Sequence, residues 1–94
     1  MDYYLFKQTH GGGSVGGVYD DYLLYSSLEL ATAELNRRMA RLESETHFAV
    51  VEDRDYTHPV TRSYSRHVKM RCGKDYYSFD IIQFDGIDVG EIVH

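Results

Sequence analysis

Two alternating runs that meet at Cys72-Gly73-Lys74-Asp75 constrain this chain more than any other feature. Glycine first and a second residue after it suits a two-residue II′ turn, so Gly73-Lys74 predicts a tight hairpin. The register then follows by counting. Cys72 faces Asp75, Met70 faces Tyr77, Val68 faces Phe79 and Arg66 faces Ile81. On the other side Arg71 meets Tyr76, Lys69 meets Ser78 and His67 meets Asp80. One face is mostly apolar and the other mostly polar, which is what a half-buried antiparallel sheet requires.

The rest of the chain supplies partners for that hairpin. Asp2 to Thr9 predicts a first strand ending in the glycine-rich run His10 to Gly17. Val18 to Tyr25 is expected as a second strand, because the helix-start signal comes only afterwards. Ser26 and Glu29 stand at capping-box spacing. Leu28, Ala31, Leu35, Met39 and Leu42 then recur at intervals of three and four along one helical stripe, with Glu34 placed to pair with Arg38. Two heptads of leucine fall short of a coiled-coil seam. His47 to Asp53 predicts a strand and Tyr56 to Pro59 a turn. Asp85-Gly86 predicts a further turn, and Ile87 to Val93 a last strand. The expected fold is a single α+β domain over 1–94. One amphipathic helix packs on an antiparallel sheet of four to six strands, in a ββαβββ-like order.

Charge is segregated. The net charge is −5, yet residues 62–74 hold Arg62, Arg66, Lys69, Arg71 and Lys74 with no acid, whereas 75–94 hold Asp75, Asp80, Asp85, Asp88 and Glu91 with no base. Opposite charges across one hairpin stabilise pairing and fix its register. The acidic tail together with Asp20 and Asp21 also forms a candidate negative surface that would compete with nucleic acid for a basic protein groove.

Several catalytic patterns are present in letters but not in context. His10-Gly11-Gly12-Gly13 resembles an esterase oxyanion loop, but no Gly-x-Ser-x-Gly elbow accompanies it and the chain is too short for that fold. Gly11-x-Gly13-x-x-Gly16 matches a dinucleotide fingerprint without the βαβ unit it needs. Five histidines lie scattered, and none sits at metal-ligand spacing with another. Cys72 is the single cysteine, with basic neighbours that favour thiolate, but the register turns it away from His67. Asp53-x-Asp55 and Asp85-x-x-Asp88-x-x-Glu91 lack the ligand order of an EF-hand loop. No enzyme, cofactor or metal is therefore expected. No run of about 20 apolar residues, no signal-peptide pattern and no disulfide pair point to a cytoplasmic protein without a membrane partner.

Tyrosine carries the functional expectation. There are nine in 94 residues. Tyr64 and Tyr77 fall on the inferred core face, and the remaining seven cannot all be buried in so small a domain. Surplus exposed tyrosine is the composition of an interface, since it offers contact area at low entropic cost. A short, acidic, Tyr-rich, single-Cys chain with a hairpin, one helix and an antiparallel meander resembles small phage-encoded anti-defence proteins, anti-CRISPR proteins among them. The resemblance covers the layout of the whole chain and carries no shared motif, so no residue roles transfer. It implies a stoichiometric, non-catalytic inhibitor on a nucleic-acid-binding or subunit-docking surface of a CRISPR effector in the host cytoplasm. The candidate contacts are Tyr19, Asp20, Asp21, Tyr22, Asp85, Asp88 and Glu91. The alternatives are a single-stranded nucleic-acid binder using Arg62, Arg66, Lys69 and Arg71 with Tyr76 as a stacking platform, or a homo-oligomeric module, a homodimer being its simplest form.

Overall fold

The computed structural model describes residues 2–13 and 16–85. Strand β1 (Asp2–Gly12) and β2 (Tyr19–Tyr25) form a hairpin, followed by helix α1 (Leu28–Glu45) and a meander of β3 (Ala49–Thr57), β4 (Tyr64–Cys72) and β5 (Asp75–Asp85). The five strands make one antiparallel sheet in the order β2-β1-β5-β4-β3. The fold is α+β, with one helix packed on a five-stranded sheet, as the patterning predicts. The second strand expected over Val18 to Tyr25 runs from Tyr19 to Tyr25. The predicted last strand beyond Gly86 lies outside the described residues.

The β4–β5 register is the one that counting from the turn gives, residue for residue, from Cys72 opposite Asp75 to Arg66 opposite Ile81. Gly73 takes φ +61 at the first turn position, the conformation for which glycine is selected there. Even-numbered residues of β4 and odd-numbered ones of β5 therefore face the helix. Val68, Met70, Phe79 and Ile81 are buried with Phe6 of β1 and with Ala31 and Leu35 of α1. Tyr4, Tyr25, Leu28, Met39, Leu42, Phe48, Tyr64 and Tyr77 pack around this cluster. Phe6 meets Phe79 at 5.9 Å and Tyr25 edge-on at 6.5 Å. Each fully buried aromatic or aliphatic side chain contributes about 1.5–3 kcal/mol relative to exposure.

Helix α1 starts one residue later than the capping-box spacing predicts. Ser27 is the N-cap and its Oγ accepts from the Leu30 amide, so Ser26 and Glu29 do not form the box. Glu29 still lies in the first turn, where its charge complements the helix dipole. At the other end the Phe48 amide bonds to the Leu42 carbonyl around His47, which sits at φ +59. That reversal swings Phe48 back to the core. Strand β3 runs on to Thr57, beyond the expected turn at Tyr56, because its pairing with β4 continues to Thr57 opposite Tyr64. The connection follows at 58–63, where His58 Nδ1 accepts from the Val60 and Thr61 amides.

Candidate protein-binding surface

The sheet has two edges, and they are built differently. Strand β3 carries Glu52, Asp53, Arg54 and Asp55 in sequence and has a register shift between Val50 and Glu52. Charges and bulges of this kind keep an edge from pairing with other chains. Strand β2 has no such shift, and its only charges are Asp20 and Asp21. Its ladder with β1 is regular from Tyr4–Tyr25 to His10–Tyr19, and it holds no lysine, arginine or proline. Six of its seven residues are exposed, among them Tyr19 at 60%, Tyr22 at 52%, Leu23 at 36% and Leu24 at 49%. Among the described residues no further strand pairs with it.

The predicted contact residues divide over this arrangement. Tyr19 and Asp21 lie on the helix side of β2, and Asp20 and Tyr22 on the open side, since neighbouring residues of a strand point oppositely. Asp20 accepts a 2.8 Å hydrogen bond from the Thr9 hydroxyl, and Asp21 lies 3.9 Å from Arg38 of α1. Lys7 stands over the Tyr22 ring at 5.8 Å. Asp85 pairs with Asp2 at the opposite end of β1 from Thr9 and Asp20. The structure therefore brings Tyr19 to Tyr22 together and keeps Asp85 apart from them by most of a strand length. Asp88 and Glu91 lie outside the described residues. Sequence reasoning missed Leu23 and Leu24. Their signal was available: in a half-buried strand one of two adjacent leucines must face away from the core.

Within the basic segment Arg66 is committed to an ion pair. Arg66 forms a bidentate pair with Asp53 at 2.9 and 3.1 Å on the helix side, and Arg62 sits in the β3–β4 connection at φ +63. The Arg66 guanidinium holds the Asp53 carboxyl below the usual carboxylate range. Lys69, Arg71 and Tyr76 do share the open side, with Lys69 Nζ 5.1 Å from the centre of the Tyr76 ring. Glu52, Asp80 and Asp20 share that side too, so it offers phosphate no continuous positive track.

The remaining candidates have structural partners. His67 sits between two carboxylates, with Nδ1 2.7 Å from Asp80 and Nε2 3.3 Å from Glu52, and ties β3, β4 and β5 together. Cys72 is exposed and on the other face of β4 from His67. Gly11 and Gly12 belong to β1, where they pass beneath Tyr76 and against the Lys74–Asp75 turn. Among the described residues no group of three or more His, Cys, Asp or Glu side chains converges to hold a metal, and no helix is long and apolar enough to cross a membrane. Comparison of the chain with protein-family models, with curated proteins and with solved structures finds no match.

Proposed function

We propose that this is a non-catalytic protein-binding inhibitor that docks through the β2 edge. The observation that carries the reading is a regular edge strand displaying Tyr19, Tyr22, Leu23 and Leu24 to solvent, while the other edge is bulged and carries four consecutive charges. Tyrosine and leucine on an open edge contribute buried contact area, and Asp20 and Asp21 add selection for a basic surface. The likeness in size, charge and layout to anti-CRISPR proteins supplies the target class: a nucleic-acid-binding or subunit-docking surface of a phage-defence complex. The acidic Glu52, Asp80 and Asp20 on the same side as Lys69 and Arg71 make single-stranded nucleic acid the weaker ligand.

The test uses the full chain against a panel of purified CRISPR effector complexes. Reversing Asp20 and Asp21 together to Lys should weaken the complex about tenfold or more, with a nearly unchanged melting temperature. Unaltered affinity would remove the acidic contacts from the interface. A salt titration against single-stranded DNA provides the opposing arm, because a phosphate binder must show a steep slope.

A further inference from the structure

We infer that in the free protein the β2 edge is closed by β2 of a second copy, giving a two-fold dimer whose sheets join into one of ten strands. The inference rests on the reading of β2 as a protein-docking edge and names its occupant in the absence of a target.

The argument is one of register. If a two-fold axis perpendicular to the sheet is to keep both helices on one side, paired residues must share a face, so the axis passes through a residue position. With Asp21 on the axis, two carboxylates oppose each other. Placing Tyr22 there sets Asp20 and Asp21 against the partner's Leu24 and Leu23, which strips the charges of water without a hydrogen bond. Leu24 on the axis shortens the ladder to Leu23–Tyr25 and sets Asp20 and Tyr19 against Leu28 and Glu29 of the partner's α1. With Leu23 on the axis the segment becomes self-complementary. Leu23 then meets the partner's Leu23, and Tyr22 meets the partner's Leu24. Asp21 falls opposite the partner's Tyr25 at the end of a five-residue ladder, and Asp20 and Tyr19 lie beyond it, opposite the partner's Ser26 and Ser27. Apolar side chains oppose apolar ones, no carboxylate faces another, and Asp20 keeps its 2.8 Å bond from Thr9. Cross-strand pairs of this kind are the unit of sheet stabilisation. The two strands would cover Tyr22, Leu23 and Leu24, three of the exposed apolar side chains of the chain, in a single event.

Charge separates this occupant from a basic strand of another protein. Each copy carries −5, so salt screens repulsion between copies and tightens the dimer, whereas it weakens a complex held by Asp20 and Asp21 on a basic partner.

Sedimentation equilibrium of the full chain up to about 0.1 mM tests the idea. The expected mass is twice 10.9 kDa, with tighter association at higher salt. Leu24→Lys and Tyr22→Glu, at half-exposed positions, should each weaken the dimer about tenfold or more while the melting temperature holds. The double variant Tyr22→Glu/Leu24→Lys should regain it, because each new Glu faces the partner's new Lys only in the Leu23 register. A monomer at all concentrations would overturn the dimer, as would single variants that associate like the parent. Failure of the double variant to recover would overturn the register. Sedimentation reads the dimer with no target present, and the effector panel reads target binding of the parent chain, so either reading can fail without the other.

Discussion

At Gly12 the backbone of β1 runs so close to the β4–β5 turn that a Cβ would lie 2.3 Å from the Lys74 carbonyl oxygen and 2.5 Å from the Asp75 Cα, at φ +126. Both obstacles are backbone and cannot rotate away. Gly12→Ala should therefore cost about 2 kcal/mol or more, combining overpacking with backbone strain, and a urea titration would measure it. An unchanged midpoint would disprove the close approach. The glycine run that resembled a catalytic loop is thus needed, at this position, for steric passage. Glu34 is a second residue whose role is local. It accepts from Arg38 Nε at 2.6 Å and pairs with Arg37, whose hydrogen bond is the chief reason that its carboxyl lies below the ordinary range. A carboxyl depressed in the folded state stabilises above its unfolded pKa near 4, and that contribution is lost as pH falls through the lower folded value. Glu34→Gln should thus cost up to about 1 kcal/mol at pH 7 and close to nothing at pH 2. Chemical denaturation at both pH values decides it, and a difference that grows with acid would contradict the assignment.

The β4–β5 hairpin shows how far an element can be read from its own residues. Gly73 set the turn, the turn set the register, and alternation then placed Val68, Met70, Phe79 and Ile81 in the core before any partner strand was known. Helix α1 was equally legible from its stripe, down to the Glu34–Arg38 pair. Its start was off by one because Ser26 and Ser27 are adjacent hydroxyls, and it is Ser27, with extended backbone, whose Oγ accepts from the Leu30 amide. The His67–Asp80 contact is the hairpin's most testable cross-strand term. A double-mutant cycle with His67→Ala and Asp80→Asn at pH 7 should give a coupling of about 0.5–1.5 kcal/mol. Additive effects would show that the 2.7 Å contact contributes nothing net. The cycle also involves Glu52 of β3, which holds the other ring nitrogen, and Lys7 of β1, which is paired in register with Asp80.

For the whole molecule the decisive fact is that β5 lies between β4 and β1. This placement joins the first and last described strands, leaves β2 and β3 as edges, and gives the two edges different character. It also sets Asp20 and Asp85 at opposite ends of the sheet, so these two predicted contact residues do not belong to one surface. Tyr4, Tyr25, Tyr64 and Tyr77 support the core, while Tyr19, Tyr22 and Tyr56 are exposed on the two edge strands. The tyrosine excess is therefore partly core and partly interface, concentrated where a sheet can still grow. The dimer and inhibitor predictions both follow from this scale, since no single residue or element has an edge by itself.

The amino-acid sequence alone determined which residues form a helix, which alternate as strands, and how β4 meets β5, because turn geometry and side-chain periodicity act within a few residues. It also placed Tyr19 to Tyr22 on a strand. Only the tertiary structure decided which strands are neighbours, hence which backbone edge remains open and which leucines lie on it. Alternation is satisfied by any strand order that buries the same face. The choice is made by the joint packing of Phe6, Leu35, Met70 and Phe79 across elements up to about seventy residues apart.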